Sequence, residues 1–509
     1  MNGAWALVGL LLAQTEGADV TAAEDGDAIG AATALGAARA ARAAEGDQSF
    51  GGSLGLEKLG EDWFISLGVA LSFDWDEVGF GLQLPLRFRI IDEAPQNDGD
   101  LLGIIREEDW DSVADVLKVL RYLYIGQRDT RGPYYFRVGA LTDLRLGHGT
   151  IVHRYRNDVD INRWRVGVQA ALQYESVGGH IFVGDVTKPY LFGGRVHVRP
   201  LEMALGSGIQ RALVLGTSLV LDASAPLSNC LTPVGGESGC LTPLEASADP
   251  TLEYETVLDD QGRPVAADTR TLGIWGIDVG YELIATPQLA ITPYFDFNKI
   301  TGVQDGWGAH AGVLWNVDVP VLLDRFVLDL RTEYRLVSHD YRGPYVGSTY
   351  EIERSESFRA PDNFLGLPGR ATRLGYLCGS ATGDCDARGG ARHGYFIELL
   401  TGLPSWIFVG GELLDYTGDE GDGSFRLTLE VPALSFVDIW ATYYRTGVRD
   451  LSDLFAIDDR SAVLAHIGIP FAQVFALQIE WSRIWEGDSE GGYAPVDDFR
   501  AGVGLSVPL

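Results

Sequence analysis

Lysine is nearly missing from this 509-residue chain: only Lys58, Lys118, Lys188 and Lys299 appear among its 39 basic residues. Against 71 Asp and Glu they leave a formal net charge of −32. That balance excludes nucleic acid as a partner, because a nucleic-acid surface needs a basic footprint. It also excludes a polybasic patch for anionic lipid. Long hydrophobic runs are lacking too. After the N-terminus no stretch reaches the roughly 18 consecutive apolar residues of a helical membrane span. Yet 46% of the chain is hydrophobic, which excludes a disordered protein. A soluble chain of this length usually splits into several domains. Here the apolar residues are abundant and never cluster, so something spreads them regularly.

Ala4 to Ala13 (AWALVGLLLA) is a short apolar run followed by Gln-Thr-Glu. It resembles the apolar part of a secretory signal, although no basic residue precedes it. Residues 1–13 are therefore expected to be a signal-like segment. Residues 14–49 read as an Ala-rich linker or frayed helix, without function.

Cysteine is scarce but informatively placed. Cys230 and Cys240 flank LTPVGGESG, and Cys378 and Cys385 flank GSATGD. Close spacing in Gly/Ser/Thr-rich stretches suits two local disulfides in an oxidising compartment. Free thiols are the second reading. A thiolate metal site lacks the tight C-x₂-C form.

From residue 50 onward the apolar pattern has a period of two. Trp275, Ile277, Val279, Tyr281 and Leu283 alternate with Gly276, Asp278, Gly280 and Glu282. Phe326, Leu328, Leu330, Tyr334 and Leu336 alternate with Val327, Asp329, Arg331, Glu333 and Arg335. The same holds in 163–175, 423–431 and 473–485. Period two means strands with one apolar and one polar face. In a soluble sandwich the apolar faces meet inside; in a membrane barrel they meet lipid. Many of these strands run well beyond the roughly 5–6 residues usual in soluble folds and suit a tilted span of about 9–11. Trp63, Trp75, Tyr134, Trp164, Tyr174, Trp406, Trp481 and Trp485 sit near strand ends, where interfacial girdles belong.

The pattern divides into about 20 strands within 50–509, with 18 as the alternative count; the strands at 50–59, 178–187 and 193–200 are the weakest. Strands are expected at 114–126, 134–146 and 163–176, among others. The long connections, including 92–113, 147–162, 224–270 and 340–391, all fall on one side. Short periplasmic turns and long extracellular loops are the bacterial arrangement. The last segment, Phe499-Arg-Ala-Gly-Val-Gly-Leu-Ser-Val-Pro-Leu509, alternates Val503, Leu505, Val507 and Leu509, with Gly502 among them. In these residues the chain resembles the Gram-negative outer-membrane β-barrel class, departing from it in ending on Leu rather than Phe or Trp. The resemblance implies an all-β fold: a single transmembrane antiparallel up-and-down barrel in the cell outer membrane. It implies contact with lipid and lipopolysaccharide, and recognition by the barrel assembly machinery.

If the apolar face meets lipid, the other parity lines the lumen. The expected basic wall is Arg87, Arg89, Arg137, Arg145, Arg163 and Arg165. The expected acidic wall is Asp278, Glu282, Asp296, Asp329, Glu333, Glu430 and Glu480. Opposed walls resemble the constriction of diffusion porins, whose transverse field favours polar solutes. The competing reading is that these charges pair locally and stiffen or plug the barrel. A passive channel for small polar solutes is the leading expectation, with no catalytic residue, cofactor or dedicated metal. A long loop such as 340–391 could fold inward and narrow the pore. The alternative is a structural or assembly barrel with an envelope-protein partner. A barrel enzyme is the third reading; Ser338-His339-Asp340 are adjacent, but a triad requires convergence in space. Acidic loop clusters at Asp98–Asp100, Glu107–Asp111, Asp415–Asp422 and Glu486–Glu490 could hold divalent cations, without EF-hand spacing.

Overall fold

The computed structural model describes residues 49–508 apart from parts of the connections, the longest being 92–104 and 358–370. The signal-like segment 1–13 and the Ala-rich segment to residue 48 lie outside the described residues, as do Arg163 and Asp98–Asp100.

One antiparallel sheet closes on itself. Its staves are β1 (Ser49–Leu59), β2 (Asp62–Trp75), β3 (Val78–Ile91), β4 (Leu120–Gly126) and β5 (Tyr134–Gly139). Then follow β6 (Gly167–Tyr174), β7 (Val177–Val183), β8 (Leu191–Val198), β9 (Leu213–Asn229) and β10 (Ala266–Tyr281). The second half is β11 (Leu289–Thr301), β12 (Trp307–Val321), β13 (Asp324–Ser338), β14 (Ala391–Leu403) and β15 (Ile407–Tyr416). Last come β16 (Gly423–Leu434), β17 (Val437–Val448), β18 (Ser461–Ala472), β19 (Phe475–Gly487) and β20 (Tyr493–Pro508). The sheet numbers 21 strands because the short piece Ile284–Ala285 extends β10 along the edge of β11. Each stave pairs with its neighbours in sequence, and β1 closes the ring against β20 from Ser49↔Pro508 to Lys58↔Phe499. Twenty staves with no free edge make a closed up-and-down barrel, and closure is what satisfies every backbone ladder in lipid.

The outer face decides between sandwich and membrane barrel. Leu54 (59% exposed), Leu219 (51%), Ile277 (54%) and Ile181 (63%) stand free on their staves. A sandwich would bury them; a lipid belt leaves them out. Trp75, Tyr134, Tyr174 and Trp406 are exposed as girdle residues should be. Trp164 corrects the expectation: it is buried, because residues 164–166 are not part of β6.

Two further strands are shorter than their periodicity suggests. β4 begins at Leu120, after a short helix Val113–Leu117. β5 stops at Gly139 instead of running to residue 146. Gly139 has φ +123°, a backbone state that L side chains rarely adopt. There the chain leaves the wall and turns inward. Leu144 and Leu146 keep the parity of Tyr134, Phe136 and Val138 and Leu141 does not, yet all three face a core inside the barrel.

Both local disulfides are present, Cys230–Cys240 and Cys378–Cys385, and the described residues hold no free cysteine.

Candidate functional site

The site grows from two connections at the long-loop rim. The first, between β5 and β6, folds back as a hairpin. Leu144 and Tyr155 exchange backbone hydrogen bonds at 3.0 Å each, and Leu146 N–H donates to Val152 at 3.2 Å. Asn157 ties off the base: its Oδ1 accepts Leu141 N–H at 2.7 Å and its amide donates to the Gly184 carbonyl at 2.8 Å. The tip turns through Gly147 (φ +59°) and Gly149 (φ +75°) and presents His148 and Thr150.

The second comprises residues 340–355 and 371–378 of the connection between β13 and β14. It lies parallel to the hairpin for one step: His153 N–H donates to Val346 O (2.9 Å), and Val346 N–H donates to Ile151 O (3.1 Å). Its short helix Tyr350–Glu353 touches both sides of the lumen. Tyr350 Oη donates to Asp222 on β9 at 2.6 Å, and Arg354 grips the same carboxylate at 2.8 and 3.1 Å. Ile352 packs against Trp440 on β17 and Leu464 on β18. From β9 to β17 is eight staves of twenty.

The two segments share one apolar core with the inner wall. Leu141, Val152 and Tyr155 meet Tyr341, Val346 and Tyr350, with Val220, Leu272, Ile300 and Val337 behind them. Burying this core holds both segments in the lumen, at roughly 25 cal/mol per Å² of apolar surface covered.

Charge supplies the rest. Arg154 Nε lies 2.8 Å from Glu398 Oε1 on β14, and Arg145 reaches the same oxygen at 2.9 Å. Glu412 on β15 takes Arg426 and stands 3.2 Å from His153 Nε2. Burial pushes the His153 imidazole pKa down, against the pull of Glu398 and Glu412. Glu351 accepts the Tyr155 hydroxyl at 2.6 Å and also that of Tyr190. Burial raises its carboxyl pKa; the tyrosine hydrogen bonds and Arg354 oppose that rise.

Three of the six expected basic-wall residues stand on staves. Arg87 on β3 pairs with Glu57 (3.1 Å) and Asp109 (2.7 Å). Arg89 pairs with Asp62 at 3.2 Å. Arg137 on β5 donates to the Ala140 carbonyl at 2.9 Å and lies over the Tyr122 ring. Arg145 and Arg165 stand off the wall, because the chain has left the sheet. Arg145 belongs to the hairpin, and Arg165 donates to the Trp164 carbonyl and lies 3.4 Å from Asp185.

The acidic residues also find local partners. Asp278 is held by Arg195 of β8, Asp296 by His148 and Thr150, and Glu480 by His466. Glu333 sits among Arg331, Arg335, His310 and Tyr294. Asp329 accepts from Asn316 at 2.6 Å. Glu430 faces inward on β16, and Glu282 lies just past the end of β10. Reading the sequence missed Arg154, Glu398, Glu412, Glu351 and Arg195, and took His153 for an ordinary loop histidine. Glu398 and Glu412 carried the same inward parity as the expected acids. Arg154 and His153 sat in a stretch, LGHGTIVHRYRN, whose apolar residues had no strand to belong to.

Ser338 Oγ accepts Trp307 N–H at 3.0 Å and donates to the Trp307 carbonyl at 3.3 Å, so its lone pair and proton face the backbone of β12.

No family model and no curated protein matches the chain. Solved structures to which it is similar include three proteins of Pseudomonas aeruginosa, among them the outer membrane protein OprD. OccK11 (OpdR) is 10% identical, with 91% of this chain and 95% of that one covered, at a TM-score of 0.32. OprD is 8% identical over 92% and 96%, at 0.32. The ferric enterobactin receptor PfeA is 10% identical over 91% and 82%, at 0.35. The barrel itself, with its lipid belt, short turns at one rim and long loops at the other, is the architecture of the cell outer membrane.

Proposed function

We propose that the chain is an outer-membrane channel for passive diffusion of small polar solutes, constricted by its own two inward segments. The observation that carries this reading is Arg145. It reaches into the lumen from the hairpin, contacts Glu398 on a distant stave, and keeps 30% of its side chain exposed. A solute passing there meets a fixed cation beside carboxylates. Such a field favours polar solutes and penalises apolar ones. In this reading Arg137 and Arg145 form the basic side of the passage, and Asp329 and Glu398 the acidic side. Acidic loop residues at the rim would bridge lipopolysaccharide through divalent cations.

A second reading rests on a different observation. Arg335, His310 and Glu333 face inward yet are wholly buried. A lumen closed in this way suits a structural or assembly barrel with an envelope-protein partner. Planar-bilayer recording separates the two. The channel reading expects stable unitary steps whose ion selectivity moves toward cations in Arg145→Ala. Silence in the bilayer, with co-purification of an envelope protein, would replace it with the second.

A further inference from the structure

Asp278 on β10 and Asp296 on β11 are directly opposite each other in the ladder, both facing the lumen. Like charges so placed repel, and the sheet keeps them only if cations lie close. Arg195 supplies one, at 2.5 and 3.0 Å from the two oxygens of Asp278. Among the described residues Asp296 receives none of that kind. Its Oδ1 lies 2.8 Å from His148 Nδ1, and its Oδ2 accepts Thr150 Oγ1 at 2.7 Å. One ligand atom each from His148, Asp278 and Asp296 falls within 4.8 Å of the others.

The surroundings are shaped for this meeting. The His148 ring stacks on Tyr294 at 4.2 Å between centroids. A Cβ at Gly280 would come within 2.9 Å of His148 Nε2, and one at Gly216 would strike the Asp278 carboxylate and Arg195. Nearby Arg331 is occupied by Glu333 and the Tyr294 hydroxyl.

A second cluster of the same type, His153, Glu398 and Glu412, gives the contrast. There two carboxylates face three guanidiniums, Arg145, Arg154 and Arg426, a surplus of one positive charge. At His148 two carboxylates face one guanidinium, a deficit of one. Only the first cluster has charge left for a metal.

We propose that His148, Asp278 and Asp296 bind one divalent transition-metal ion, of the kind that accepts imidazole with carboxylate, and that this ion pins the hairpin tip to the β10–β11 wall. Imidazole selects Zn²⁺, Ni²⁺ or Cu²⁺ over Ca²⁺ and Mg²⁺. Three protein ligands leave a further position for water. The site stands whether or not the barrel conducts.

The test is equilibrium dialysis of the intact folded barrel in detergent against Zn²⁺ alone. One Zn²⁺ per chain is expected, with affinity falling at least about tenfold in His148→Ala and in Asp296→Asn, and unchanged in His153→Ala. X-ray absorption of the wild-type complex reads the site without any variant that could misfold. It should report one imidazole nitrogen with oxygen neighbours at about 2.0–2.2 Å. Absence of saturable binding, equal binding in His148→Ala, or a first shell of oxygen alone would overturn the site. The last two results would assign the metal to acidic loops.

Discussion

Arg154 and Glu398 meet at 2.8 Å although their chain segments enter the wall eight staves apart, the hairpin at β6 and Glu398 on β14. This contact ties one side of the barrel to the other through the lumen. It also makes Glu398 the shared anchor of two arginines, because Arg145 uses the same oxygen. Removing one partner of a buried pair costs about 3–5 kcal/mol, since the remaining charge stays buried and alone. Glu398→Ala should therefore loosen the hairpin by about that much while leaving the wall intact. Limited proteolysis after Arg145 and Arg154 in detergent should become fast, while the heat-modifiable gel shift of the barrel persists. Unchanged protection would deny the anchor.

The parallel step between the segments gives a second prediction. Val152 and Val346 are bridge partners and both are wholly buried. All four native cysteines are already in disulfides. The double variant Val152→Cys with Val346→Cys should form a third disulfide on mild oxidation, because bridged pairs lie within disulfide reach. Mass spectrometry of the non-reduced digest would find the linked peptides. A variant whose two new thiols both stay alkylatable would contradict the interlock.

Glu351 gives the inward segment a pH dependence of defined sign. Its carboxyl pKa is raised chiefly by burial. A raised folded-state value means that its contribution is full below the ordinary Glu range and is lost as pH rises through the raised value. Docking of the helix Tyr350–Glu353 should thus be tightest in acid and weaker toward neutrality. Glu351→Gln keeps the shape and removes the titration. The difference in thermal midpoint between variant and wild type should grow in favour of the variant as pH rises from about 4 to 7. A constant difference would show that Glu351 does not titrate in this range.

The outer face is tested by one substitution on the lipid belt. Ile277 stands on β10, four residues before its end at Tyr281, and is 54% exposed. Ile277→Arg should destabilise folding in bilayers, by at most the roughly 2–4 kcal/mol that a cation costs at the midplane. The same change in detergent should cost much less. Equal refolding in vesicles would argue against a lipid-facing position.

The barrel was legible in the sequence because a lipid face and a lumen face impose strict parity, and parity survives without any knowledge of neighbours. β2 and β3 fall where alternation places them, residue for residue. The interior was harder to read for a physical reason. Leu144 and Leu146 keep the parity of Tyr134, Phe136 and Val138 and so read as more of the same lipid face; only Leu141 breaks it. The strand ends at Gly139, whose φ is positive. Lumen charges were identifiable as a class, since inward parity gives Glu333 and Asp296 directly. Their partners were not, because Arg154 and His148 come from a connection whose path depends on tertiary packing. Arg195 shows the same limit: its role depends on reaching over Gly216 to Asp278 two staves away.

The central claim is that this barrel conducts and that its inward segments set the size of the path. Planar-bilayer conductance of the purified wild type and Glu398→Ala, side by side, tests it most directly. Stable unitary steps in the wild type that become larger in Glu398→Ala are the predicted result. No unitary conductance in either protein, with both barrels folded, would contradict it.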